Sequence, residues 1–208
     1  MTDDEFAEII RLSHEYRGIE FKGPLPLTDK HFMAKVIRGM LGMANRRDGG
    51  YVVIGVNDDN GILTPVGLEP GILETWKYDD VASAIAPYTT PVLSFDIEVH
   101  EYKEQFFVVI IVAEFEDAPI LCARDYPSPN KETPPVLRKG ACYVRSKHKP
   151  ETSEIPTQED MRALLDLAIE KGVKHFIVRN QAVGLALTPA SNIVSSAGLF
   201  NKQGSDLK

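Results

Sequence analysis

The sequence predicts an α+β fold: a mixed, mostly antiparallel sheet flanked by helices, with a helical C-terminal appendage. Three observations predict it. Apolar residues recur at helical spacing in several stretches, as Phe6, Ile9 and Ile10 do near the start and Met161, Leu164, Leu165 and Ala168 towards the end. Leu93, Phe95, Ile97 and Val99 alternate with Ser94, Asp96, Glu98 and His100, and the apolar run 106–112 follows a turn near Lys103, so the two read as a hairpin. The Val-Val-Ile run within residues 51–56 suits a strand buried on both faces.

Taken in order, Thr2 with Glu5 three residues on is a capping-box pair, and a first helix is expected over 3–14. Gly18 interrupts the pattern, and Ile19, Glu20, Phe21 and Lys22 read as a short strand with Ile19 and Phe21 inward. Strand side chains alternate, so Glu20 and Lys22 share the other face, a carboxylate beside an ammonium. Pro24 and Pro26 mark a loop, Thr28 is a candidate N-cap, and Phe32, Val36, Met40 and Met43 stripe a second helix. Gly49 and Gly50 supply the freedom to turn into strand 51–56, which runs out into an acidic loop from Asn57 to Gly61.

Asp79 and Asp80 sit where a helix dipole favours anions; Val81, Ala82 and Ile85 follow, and Pro87 stops this third helix. After the hairpin, Pro119, Pro127, Pro129, Pro134 and Pro135 make residues 118–140 a long surface excursion with one short strand at 120–122. Residues 141–145 read as the last strand of the sheet, delivering Arg145 at its end. Beyond Glu151, Thr157 caps a helix over 158–171 with Gly172 at its end, residues 174–179 read as one more strand, and a tail follows Gln181. The expected division is a body over 1–150 and an appendage over 151–208.

Composition narrows the function classes. With 43% hydrophobic and 25% charged residues the chain reads as globular, and its net charge of −7 argues against an extended electrostatic embrace of nucleic acid while leaving room for one basic face. No apolar run approaches the roughly 18 residues of a membrane span, and the acidic start from Met1 to Glu5 is unlike a signal peptide, so a cytoplasmic protein without membrane partners is expected. Cys122 and Cys142 are too few for a disulfide scaffold and lack metal-ligand spacing; they read as half-buried thiols.

Three constellations bear on chemistry. Glu15, Glu20 and either Asp58 or Asp59 can meet at one sheet edge, where converging carboxylates repel unless a hard cation such as Mg²⁺ or Mn²⁺ joins them. Such an ion activates water and stabilises a phosphoryl transition state, with Lys22 adding positive charge. The same spacing also describes ordinary solvated surface. Gly49-Gly50 follows a helix C-terminus, where the dipole is wrong for phosphate, and no Walker-type loop or G-x-G-x-x-G occurs, so these are turn glycines. A basic run of Arg138, Lys139, Arg145, Lys147, His148 and Lys149, with Tyr143 interleaved, either tracks a nucleic-acid backbone or is a solvated edge strand. His14 and His31 fit surface residues and ligands equally well, and His100 reads as a residue on the wet face of its strand.

Several fragments occur in one order: E-Y-R-G-I-E-F-K at 15–22, A-N-R-R-D-G-G-Y-V-V-I-G-V-N-D-D-N-G at 44–61, V-G-L at 66–68, I-A-P at 85–87 and G-A-C-Y-V-R-S at 140–146. Together they resemble the AlbA_2 domain, the Schlafen AlbA-type domain, over about residues 13–149. The resemblance implies nucleic-acid binding. Schlafen members cleave tRNA and rRNA through three acidic residues and a divalent cation. Glu15 and Glu20 match the first two acids, and Asp58, with Asp59 in reserve, matches the third by position; Asn57 stands where family members often carry aspartate. So read, Glu15, Glu20 and Asp58 hold Mg²⁺ or Mn²⁺, Lys22 steadies the scissile phosphate, and Arg46, Arg145, Lys147 and Lys149 position the backbone.

The function implied is a metal-dependent endoribonuclease acting on structured RNA such as tRNA, in preference to DNA. A non-catalytic DNA- or RNA-binding module and an interaction domain that keeps only the fold are the alternatives. Schlafen cores pair two related lobes, and this chain shows one, so a homodimer through the helix 158–171 and the segment after it is expected. The cysteine-histidine zinc site of some Schlafens is missing.

Overall fold

The computed structural model describes residues 1–12, 16–128, 134–146 and 151–182. The chain forms two compact units, Met1–Ile169 and Glu170–Lys208. In the first unit a four-stranded sheet carries β1 (Ile19–Lys22), β2 (Gly50–Ile54), β7 (Gln105–Val112) and β6 (Phe95–Tyr102) side by side in that order. β1 runs parallel to β2, and the β2–β7 and β7–β6 pairs are antiparallel, which is the mixed, mostly antiparallel sheet of an α+β fold.

Period-two alternation divides β2 between two cores. Val52 and Ile54 point towards α2 (Lys30–Ala44), where Val36, Ile37, Met40 and Leu41 meet Val108 and Ile110 of β7. Val53 points the other way, into a smaller cluster in which Phe6 and Ile10 of α1 (Asp3–Leu12) cover Ile19, Phe21, Phe107 and Val109. Burying each of these side chains contributes roughly 1.5–3 kcal/mol, and with both faces covered a strand as short as β2 is held without a polar face. The capping box at α1 is formed, with Thr2 N donating to Glu5 Oε2 at 2.8 Å and Glu5 N to Thr2 Oγ1 at 3.2 Å. α2 is capped by Asp29, whose carboxylate accepts from Phe32 N at 2.9 Å, one residue later than Thr28.

Four stretches differ from their sequence reading. The acidic loop after β2 is a hairpin: Gly55, at φ 116°, breaks the strand, and β3 (Val56–Asp59) pairs with β4 (Ile62–Pro65). Asn60 and Gly61, at φ 57° and 87°, make the tight turn, the Asn-Gly signal of a two-residue hairpin. His100 is 6% exposed rather than on a wet face, because α1 covers that end of β6. Its ring stacks on Phe6 at 4.8 Å and its nitrogens lie 2.8 Å from Asp3 and 2.9 Å from Glu98.

Residues 143–145 do not join the main sheet. β9 (Tyr143–Arg145) pairs instead with β10 (Thr152–Glu154) in a ribbon that packs on α2. The last helix, α5 (Gln158–Ala182), runs through Gly172, and residues 174–179 are helical rather than a strand. A single glycine costs a helix only about 1 kcal/mol, and the Glu170–Lys174 pair, 2.8 Å apart at i,i+4, spans it. Between β4 and β6 lie two short helices, α3 (Pro70–Leu73) and α4 (Tyr78–Ile85), and β5 (Thr89–Thr90), which pairs with β8 (Leu121–Cys122). The expected tail after Gln181 lies outside the described residues from 183 onward.

Candidate functional site

β1 places Glu20 and Phe21 on opposite faces, and Glu20 turns inward, beneath α2, at 6% exposure. Glycine permits this. A Cβ at Gly39 of α2 would stand 2.8 Å from Glu20 Oε2, and one at Gly42 would stand 2.7 Å from Thr152 Cγ2, so the two glycines open a notch for both side chains. Three groups neutralise and bond the carboxylate there. Lys22 Nζ lies 2.5 Å from Oε1, while Arg145 Nη1 at 3.1 Å and Thr152 Oγ1 at 2.8 Å donate to Oε2.

Burial opposes the charge on Glu20, but Lys22 and Arg145 beside it, with hydrogen bonds from Lys22 and Thr152, outweigh burial and hold the carboxyl below its ordinary range. Arg145 is itself 1% exposed. Its Nε donates to Arg17 O at 3.2 Å, and its Nη2 to Tyr16 O at 3.1 Å and Ile19 O at 2.8 Å. Arg17 Nε returns a bond to Arg145 O at 3.0 Å. Arg145 thus staples β9 to the chain entering β1, with its guanidinium turned towards Glu20 and away from solvent.

Asp58 and Asp59 lie exposed on β3, and Asp58 Oδ1 accepts from Gly61 N at 2.7 Å, closing the hairpin turn. Asn57 points the other way, its Oδ1 3.5 Å from where a Cβ of Gly23 would be, beside the end of β1. The structure therefore brings Glu20, Lys22 and Arg145 together, and Asn57 rather than Asp58 faces the end of β1. Glu15, Lys147 and Lys149 lie outside the described residues. Among the described residues, no three His, Cys, Asp or Glu side chains stand close enough to hold a metal ion. Any cation approaching Glu20 would meet Lys22 at Oε1 and the Arg145 and Thr152 donors at Oε2.

Arg46 lies at a second place, a cleft of about 430 Å³ between the end of α2, β9 and the first turns of α5. Arg17, Arg47 and Arg162 line it too, with Glu159, Asp160 and Asp166 on the α5 wall. Arg46 Nη1 donates to Gly49 O at 2.5 Å, and its buried Nε has no hydrogen-bond partner among the described residues. Burial, then the nearby Arg17 and Arg145, hold the guanidinium below its usual range, with Asp48 opposing. Asp160, 4% exposed, is occupied in capping: it accepts from Thr157 Oγ1 at 2.6 Å and Ser146 Oγ at 3.2 Å. Of the basic run, Arg138 is engaged in a two-pronged pair with Glu154.

Both cysteines are free thiols, and burial pushes Cys142 up to about 11. Sequence reasoning missed Gly39, Gly42, Thr152, Arg17 and Arg162. The one available signal was a Gly-Met-Leu-Gly run in the middle of an otherwise apolar helix, which marks a close approach.

The E-F-K edge strand and the Y-V-R strand stapled to it lie within the span of a family of nucleic-acid-related domains. The chain belongs to the Schlafen AlbA_2 family: the model described as "Schlafen, AlbA_2" matches residues 15–153. Among solved structures, the DIP2311 protein of Corynebacterium diphtheriae is similar at 15% identity and TM-score 0.46, over 71% of this chain and 23% of that one. The N-terminal domain of a RecG-related protein from Nitrosomonas europaea is similar at 21% identity and TM-score 0.45, over 76% of this chain and 98% of that one. No curated protein matches the chain.

Proposed function

We propose that the chain is a nucleic-acid-binding module that holds the phosphodiester backbone in the Arg46 cleft without cutting it. The observation that carries the reading is the grouping of Arg17, Arg46, Arg47 and Arg162 around one cleft, with Arg46 half-buried beside Arg17 and Arg145. A phosphate entering the cleft would add negative charge beside Arg46 and the neighbouring Arg17. The acidic α5 wall opposes a long basic track, consistent with a net charge of −7 and with a contact limited to few phosphates.

The competing reading is Mg²⁺- or Mn²⁺-dependent hydrolysis of structured RNA by Glu15, Glu20 and Asp58 with Lys22. It is favoured by the ionised state of Glu20 and by Lys22 beside it. It is disfavoured by the two cations and the hydroxyl already gathered around the Glu20 carboxylate. One experiment separates the two: the full chain is incubated with tRNA and with single-stranded DNA, in Mn²⁺ or EDTA, between about 50 and 200 mM salt. Binding that weakens steeply with salt, loses about one unit of salt slope in Arg46→Ala, and leaves the strands intact supports the module. Mn²⁺-dependent cleavage that disappears in Glu20→Gln, with the fold intact, replaces it with the nuclease.

A further inference from the structure

A further concavity lies away from both places. It is a cleft of about 820 Å³ between the N-terminal half of α2, α4 and the segment following β8. This is within the usual range for small-molecule and cofactor sites. Its floor is apolar and buried, made by Met33, Ala34 and Ile37 on successive turns of α2. Its wall is aromatic: Tyr88 and Tyr126 stand with ring centroids 6.5 Å apart and tilted by 58°. At the rim are two exposed cations, Lys30 and Arg124, and the Arg124 guanidinium lies over the Tyr88 ring at 6.0 Å. Asp80 is the one acidic lining residue among the described residues.

An apolar floor, tilted tyrosine faces and a rim with excess positive charge match a planar ring that carries an anion. We infer that this cleft binds a nucleotide, its base against Tyr126 and Tyr88 and its phosphate between Lys30 and Arg124. Bases of any sequence stack on tyrosine because each has a π-face, and a guanidinium already layered on Tyr88 extends the platform while reaching a phosphate. The same chemistry is offered by a free mononucleotide and by an unpaired nucleotide of a strand held elsewhere on the protein. Only the second source rests on the nucleic-acid reading above.

Calorimetric titration of the full chain with adenosine monophosphate, adenosine, inorganic phosphate and a ten-residue single-stranded RNA tests it. The monophosphate is expected to bind more tightly than adenosine or phosphate. Tyr126→Ala should weaken the monophosphate about tenfold, within the span of measured base–aromatic stacking. Tyr126→Phe should retain that binding, and Arg124→Glu should abolish it without changing the circular dichroism. If the strand is the source, Tyr126→Ala weakens the RNA as well; if the free nucleotide is, Tyr126→Ala weakens the monophosphate alone. Monophosphate binding with no RNA binding at all removes the backbone-binding reading and leaves this one standing. Monophosphate binding no tighter than phosphate, or unchanged in Tyr126→Ala, overturns the inference even where RNA binding through Arg46 persists.

Discussion

Two arginines within one small region show how differently the same side chain can be used. Arg145 is buried, ion-paired to Glu20 and bonded to three backbone carbonyls. Arg46 is half-buried, lies near other cations, and has an Nε with no acceptor among the described residues. The first is consumed by the fold. The second lines an open cleft, where burial and neighbouring cations disfavour its charge against the pull of Asp48 and an external anion can approach. A basic residue near a candidate site thus says little until its partners are known.

The largest effect expected from this contrast is on stability. Arg145→Met leaves Glu20 charged and enclosed and should cost about 3–5 kcal/mol in chemical denaturation, whereas Glu20→Gln combined with Arg145→Met should cost less than Arg145→Met alone. A double variant as unstable as the sum of the two single ones would show that the pair does not act as a unit.

Next in size is the notch. Gly39→Ala places a methyl group 2.8 Å from a carboxylate oxygen that Arg145 and Thr152 hold in place, and a loss of about 1–3 kcal/mol is expected, with Gly42→Ala similar through Thr152. Acid sensitivity follows the same group. The folded-state value of Glu20 lies below its ordinary 4.5, so its contribution is complete above the unfolded value and is lost as pH falls through the folded one. The wild type should therefore lose urea resistance below about pH 4.5 more steeply than Glu20→Gln.

The smallest change in stability belongs to Arg46→Ala, expected at about 1 kcal/mol, the size of its one bond to Gly49 O, while nucleic-acid affinity falls. A large loss of stability there would erase the distinction between the two arginines.

Much of the scaffold was legible from local signals. The capping box at Thr2 and Glu5, the alternation that sets Glu20 beside Lys22, and the hairpin of β6 and β7 each depend on residues within a few positions of one another. What stayed hidden was set by contacts between distant residues. Arg145 and Glu20 are 125 positions apart, and a strand ending in arginine looks the same whether the guanidinium faces solvent or a carboxylate. His100 alternates like a surface residue, and only the arrival of α1 buries it. Asn60-Gly61 was a readable hairpin signal that the neighbouring acidic residues obscured. The aromatic cleft draws Tyr88, Arg124 and Tyr126 from segments with no shared periodicity, so no scan along the chain would group them.

The notch in α2 also makes positions 20 and 39 one inherited character rather than two. The space above Glu20 is the hydrogen of a glycine, so a methyl group can occupy it only over a carboxylate one methylene shorter. Gly39→Ala should accordingly be better tolerated with Glu20→Asp than with Glu20 retained, and anyone transplanting this edge strand onto a different helix would have to carry the glycine across with it.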